Sequence, residues 1–322
     1  MQPLLASALL ACAVLGVALP ARADTFPNKP VTLVIPFAPG GSSDGISRIV
    51  GQELSRKWKQ PVLIDNRSGG QTMIGTGYVA KAPADGYTIG YVSYAFTTNQ
   101  FLVKNMPYQA SDLAPVTLLG RYPLALFVKG DLPVNSLAEF VALARKSPNP
   151  LSFGHAGTGS SSHLAALDFA DTVGIKMLPV GYKSGTIGAI NDLIGGQIDA
   201  LFEGRTFKQY VDDKRLKALV LAAPARLRNW PELPAAPEAG YPDLDVSGYF
   251  GLVLPARTPR AIQEQIAADV ADVLKDERVQ ERLLALGLQP APGTPAQFEA
   301  FLKDQHARLG KLVERHHDQM AD

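Results

Sequence analysis

Thiols are almost missing from this sequence. Cys12 is the only cysteine in 322 residues, so an intramolecular disulfide and a cysteine-built metal site are both excluded. The five histidines are scattered at 155, 163, 306, 316 and 317 without metal-ligand spacing, and no cofactor or metal is expected. Basic and acidic residues balance at 31 to 30 and neither forms a long run, so nucleic acid and anionic membrane are poor partners. Catalytic signatures are also missing: there is no G-x-S-x-G elbow and no phosphate-loop lysine. Gly75-Thr-Gly77-Tyr-Val-Ala80 formally fits a dinucleotide fingerprint, yet it does not directly follow a strand, and no acidic residue closes a second strand about twenty positions on. No Ser/Gly linker, repeat or low-complexity stretch divides the chain.

The one long apolar run, Pro3 to Pro20, is followed by Ala21-Arg22-Ala23, a small-x-small pattern that suits signal-peptide cleavage before Asp24. Residues 1–23 are therefore expected to be a leader and the mature chain to be periplasmic, although no Lys or Arg precedes the run. Cys12 falls inside that leader, which leaves the mature chain without a thiol.

Short apolar runs alternate with amphipathic patterns almost throughout, which predicts an α/β fold with largely parallel sheets. Strands are expected at 31–36, 62–65, 87–92, 114–119, 124–128, 151–154, 176–180, 198–202, 217–222 and 248–254. Ser136-Leu-Ala-Glu139 reads as a capping box. Thr258-Pro259 and Thr294-Pro295-Ala-Gln297 each place a hydroxyl before a proline at a helix start, and two long C-terminal helices should follow. Extended stretches at 114–129 and 246–254 are expected to cross between two α/β units, giving a hinged clamshell with one lobe from 24–122 and 247–322 and the other from 123–246.

Ligands of open α/β sheets sit beyond the carboxyl ends of the strands, so the residues that follow each strand form the candidate site. Val31 to Asp44 runs from a strand into Phe37, Gly40, Gly41, Ser42, Ser43 and Asp44, directly before an amphipathic helix. A hydroxyl-rich turn at a helix N-terminus is a cradle for an anion. Ser93 and Tyr94 follow the 87–92 run. The second half offers Thr158, Ser160, Ser161, Ser162 and His163, then Tyr182 to Thr186, and Glu203. His163 is expected to orient its loop by hydrogen bonding. The catalytic alternative is an Asp44–Glu203 carboxylate pair acting on a small organic acid without a cofactor.

The chain resembles the extracytoplasmic solute receptors of tripartite tricarboxylate transporters, also called the Bug family. The resemblance is carried by Phe26-Pro-x-Lys-Pro30, Val34-Ile-Pro-Phe-x-Pro-Gly-Gly41 with Asp44 and Arg48, Gln60-Pro-Val62, Asn66-Arg67 and Ala84-Asp-Gly-Tyr-Thr88. It continues through Gly154-x-Ala-Gly157, Ser161-Ser-His163, Tyr182-Lys183, Asp192-Leu-Ile-Gly-Gly-Gln197 and Gly251-Leu252. It implies a type II periplasmic-binding-protein-like clamshell of two open sheets flanked by helices, closing over a small carboxylated solute; the expected ligand is a small organic anion or amino acid, and a closing clamshell requires nothing beyond a monomer. It also implies delivery to membrane permease subunits, or, alternatively, reporting of occupancy to a signalling partner. Carried over, it points to Phe37, Gly41, Ser42, Ser43, Asp44, Ser93, Ser160, Ser161 and Ser162 as ligand contacts. Three departures bear on the ligand, the first being a loop after Tyr182-Lys183 that lacks the usual Gly and Pro-Ala pair and is one residue longer before Asp192. Asn66-Arg-Ser-Gly-Gly-Gln-Thr72 replaces the family's usual glycine-rich loop, and Glu203 stands where many members carry Asp, which suggests selection for an ammonium, ring N–H or hydroxyl on a small monocarboxylate.

Overall fold

The computed structural model describes residues 26–182 and 185–320. The expected leader 1–23, with Cys12, and Lys183 lie outside the described residues. The strands are β1 (Val31–Ile35), β2 (Val62–Asn66), β3 (Thr88–Ser93), β4 (Leu113–Tyr122), β5 (Ala125–Lys129), β6 (Leu151–His155), β7 (Met177–Gly181), β8 (Ala200–Glu203), β9 (Leu216–Leu221), β10 (Gly248–Pro255) and β11 (Gln289–Pro290). The helices are α1 (Ser42–Trp58), α2 (Met73–Ala80), α3 (Tyr94–Leu102), α4 (Leu137–Lys146), α5 (Ser161–Val173), α6 (Thr186–Ile194), α7 (Lys208–Asp212), α8 (Arg260–Val273), α9 (Glu277–Ala285), α10 (Pro295–Arg315) and α11 (His317–Met320).

All ten predicted strands form close to the predicted positions, because each is a short apolar run bounded by turn residues. They build two sheets, ordered β11-β4-β10-β3-β1-β2 and β7-β6-β8-β5-β9. Both follow one plan. Three parallel strands (β2-β1-β3 and β7-β6-β8) are followed by an antiparallel strand, β10 or β5, and then by β4 or β9. The chain leaves the first sheet after Tyr122, builds the second between Ala125 and Leu221, and returns through β10. The crossings therefore lie on the β4/β10 and β5/β9 side, and the strand ends from β1, β3, β6 and β8 face one another across a cleft.

Each sheet is covered on both faces. Val31, Leu33 and Ile35 pack with Ile46, Val50, Ile266 and Val270, while Val34, Val92 and Val253 pack with Tyr249 and Phe298. In the second lobe Phe140, Phe153, Phe169 and Phe202 form one side and Phe127, Ile190, Leu201 and Trp230 the other. A smaller cluster joins the lobes: Leu309, Leu312 and Val313 of α10 meet Leu164 and Leu167 of α5, flanked by an Arg308–Asp168 ion pair at 2.7 Å.

Helix starts follow the expected capping chemistry at two of three positions. Thr294 caps α10 as expected, accepting from Gln297 N, and Ser136 caps α4 by accepting from Glu139 N. Thr258 does not cap: its hydroxyl turns back to donate to Pro255 O at 2.8 Å. The first C-terminal helix is two, because Asp276 accepts from Arg278 N and starts α9 afresh. Among the described residues no helix is long and apolar enough to cross a membrane.

Candidate functional site

The carboxyl ends of β1, β3 and β8 open onto one cleft of about 480 Å³ between the lobes. On the first lobe, Pro36 to Gly41 leads out of β1. Gly40 takes φ +92°, a left-handed turn that a side chain would strain, and Gly41 stands as the extended N-cap of α1 with no side-chain hydrogen bond. Ser93, N-cap of α3, likewise makes no capping bond. Two helix N-termini thus reach the cleft with orphan backbone N–H groups, the arrangement that attracts an anion.

Asp44 holds the first of these termini in shape. Its Oδ2 accepts from Arg48 Nε at 2.9 Å and Gly40 N at 3.0 Å, and its Oδ1 accepts from Asn66 Nδ2 at 3.0 Å. The Arg48 hydrogen bond, opposed by burial and aided by Gly40 and Asn66, holds the carboxyl down at about 2. Asn66 also donates to Phe37 O at 3.1 Å, so one carboxylate ties the loop to α1 and β2.

The second lobe supplies α5 and α6. Ser160 caps α5 by accepting from His163 N, and Ser162 Oγ accepts from Ala156 N at 3.1 Å. Gly159, at φ +73°, packs tightly against Leu102 of the opposite lobe. His163 Nδ1 accepts from Gly159 N at 3.2 Å, which is the loop-orienting role expected of it. Its ring stacks on His155 at 4.1 Å between centroids. Burial first, then the His155 and His316 charges, push His163 down to about 3, so neither stacked ring is set up as a cation.

Glu203 ends β8 with only 9% of its surface exposed. Its Oε1 accepts from Thr186 Oγ1 at 2.8 Å and its Oε2 from Gly204 N at 3.1 Å. Burial pushes its carboxyl up, and those two donors pull it down. Beside it, Gly204 lets the Tyr122 ring and hydroxyl lie against the backbone where a methyl would overlap them. Burial raises the Tyr94, Tyr122 and Tyr249 hydroxyls above the usual range, so they remain neutral.

Of the residues singled out from sequence, Phe37, Gly41, Ser42, Ser43, Ser93, Tyr94, Ser160, Ser161 and Glu203 line this cleft together. Asp44, Thr158, Ser162 and Tyr182 do not. Asp44 is buried behind its loop, Ser162 is buried and wired to Ala156 N, and Tyr182 donates to Asp192 at 2.8 Å. Sequence reasoning missed Tyr122, Tyr249 and Phe250 as lining residues and named Thr186 only as part of a loop. Nothing local in the sequence marks them: Gly251 admits the core ring of Phe298, and Gly248 makes only ordinary contact with Tyr122. Asp44, in the first turn of α1, and Glu203, at the end of β8, have separate partners, and no group of three or more His, Cys, Asp or Glu side chains converges to hold a metal among the described residues.

Residues 46–317 match the model of the tripartite tricarboxylate transporter family receptor. A protein of Pseudomonas sp. (strain P51), described only by its place in the tcbD-tcbE intergenic region, is 35% identical over 295 residues, 91% of this chain and 88% of that one. The solved R. palustris protein Rpa4515 with adipate superposes with a TM-score of 0.79 at 31% identity, covering 90% of this chain and 97% of the other. The periplasmic binding protein BugD superposes with a TM-score of 0.75 at 29% identity, covering 90% and 98%.

Proposed function

The chain belongs to the tripartite tricarboxylate transporter receptor family, and from that premise we propose that it is a periplasmic receptor that captures one small carboxylated solute and passes it, chemically unchanged, to that transporter's permease. The lobes are residues 24–122 with 247–322 and residues 123–246, preceded by a leader at 1–23, and a single chain completes the clamshell.

The carrying observation is the pair of helix N-termini without side-chain caps, α1 and α3, that open into the cleft between the lobes. Each stabilises an anion by about 0.3–1 kcal/mol when exposed and up to about 2 kcal/mol when partly buried. The ligand carboxylate rests on Gly41, Ser42 and Ser43 with Ser93 beside it; Ser160, Ser161 and Thr186 close from the other lobe. The relative solved with adipate supports a carboxylate as the recognised group.

A thermal-shift screen of refolded, ligand-free protein against mono- and dicarboxylates and amino acids tests this. A ligand at 100 times its dissociation constant adds about 2.7 kcal/mol, a rise of several degrees. The Ser42→Asp variant should keep its stability, since an acidic side chain suits the first turn of α1, and should lose the ligand response by filling the cradle with its own anion. A flat response to every carboxylate, or an unaltered response in Ser42→Asp, refutes the reading.

A further inference from the structure

Glu203 is a desolvated carboxylate with no countercharge among the described residues. It is 91% buried by its 9% exposure, it lines the cleft, and among the described residues no lysine, arginine or histidine lies within ion-pair distance of it. Two of its four acceptor sites are used, one per oxygen, by Thr186 and Gly204. An anion in this setting is stabilised only when further donors reach it. None of the described residues lining the cleft is cationic, and Glu203 is the sole charged one.

Beside the serines, Thr186 and small residues, the lining carries five aromatic side chains, Phe37, Tyr94, Tyr122, Tyr249 and Phe250. Phe37 and Tyr94 flank the carboxylate cradle, while Tyr122 and Phe250 stand 6.0 Å apart between centroids and Tyr94 and Tyr249 likewise 6.0 Å. These faces suit a flat apolar body. A second ligand carboxylate extended toward β8 would meet Glu203 as a like charge.

We propose that Glu203 is the specificity-determining residue of this cleft, and that the ligand is a monocarboxylate with an aromatic or similarly flat body that presents an ammonium, N–H or hydroxyl donor to Glu203. This inference rests on the carboxylate-capture reading. The acid of the ligand binds at α1 and α3 on one lobe, and its donor binds Glu203 on the other. Closing the lobes then requires both ends of one molecule.

The test is calorimetric titration of the refolded full chain with phenylalanine, 3-phenyllactate, 3-phenylpropionate and phenylsuccinate, and with adipate as a plain dicarboxylate. These phenyl acids offer, in order, an ammonium donor, a hydroxyl donor, no donor, and a second carboxylate. At least one donor-bearing acid should bind ten times or more tighter than phenylpropionate, with phenylsuccinate weaker still. In Glu203→Gln that preference should shrink at least tenfold while phenylsuccinate gains, an effect a merely structural role would not produce. Equal binding of phenylpropionate and the donor-bearing acids, or a preference unchanged in Glu203→Gln, overturns the proposal. If adipate binds and no phenyl acid does, the proposed ligand class falls while carboxylate capture stands. If no carboxylate of the set binds, both fall.

Discussion

Replacing Asp44 by Asn tests whether the first loop is held by charge. The carboxylate is 7% exposed and its Arg48 partner 54%, and three donors converge on it within 3.0 Å. The gap between the ordinary value of 3.8 and about 2 sets an upper bound of about 2.5 kcal/mol, at about 1.36 kcal/mol per pH unit. Solvent around the half-exposed guanidinium screens the pair, so about 1–2 kcal/mol is expected at pH 7. The sign follows from the depressed value. The stabilisation is complete above the unfolded value near 3.8 and is lost as pH falls through about 2, with roughly half remaining at pH 3. Urea denaturation of the parent and Asp44→Asn proteins should show that gap at pH 7 and about half of it at pH 3. Affinity for a carboxylate ligand should fall as well, because Gly40 and Phe37 lose the anchor that shapes the cradle. A gap of the same size at both pH values, or none at pH 7, would refute the argument.

Other outcomes follow from packing and burial. Gly204→Ala drives a methyl into Tyr122 and should cost about 1–3 kcal/mol by overpacking together with tenfold or more in ligand affinity; intact affinity in this variant would contradict this. Leu309→Ala removes a fully buried side chain from the cluster between α5 and α10, with an expected loss of about 2–5 kcal/mol; a loss below about 1 kcal/mol in chemical denaturation would show that the lobes do not depend on it. His163 should show no imidazole titration by NMR above about pH 4, since burial holds it down at about 3. Its unfolded counterpart takes a proton near the usual 6.5, so stability should decline as pH falls from about 6.5 toward 3, and less steeply in His163→Gln; identical slopes would count against it.

The fold was legible because its strands are short apolar runs with clear punctuation, and ten of them could be placed from that pattern. β11 escaped notice because two residues, Gln289 and Pro290, carry no periodicity and pair with β4 only through tertiary position. The break between α8 and α9 was missed because the apolar spacing from Ile262 to Leu283 continues across it. For the site, strand-end loops announced Ser42, Ser43, Ser160 and Glu203 by their residue types. Tyr122, Tyr249 and Phe250 read as ordinary strand residues, since nothing local says that β4 and β10 border a cleft. Asp44 showed the opposite ambiguity: a carboxylate beside a cradle looks the same in sequence whether it meets the ligand or braces the loop, and only Arg48 and Asn66 decide between them.

The placement of β10 also dictates an order of assembly. The second lobe's strands, β5 to β9, are contiguous in sequence and need nothing from outside to pair. The first sheet cannot close until residues 248–255 arrive to fill the slot between β3 and β4, with Phe250 opposite Ser93 on one side and Gly120 on the other. Until then both neighbours carry unpaired edges, which are templates for mispairing, and such long-range closure is slow. A nascent or proteolysed chain that ends before β10 therefore retains every strand of the second sheet, without the α10 side chains that cover α5, and leaves the cradle-bearing sheet open along its middle.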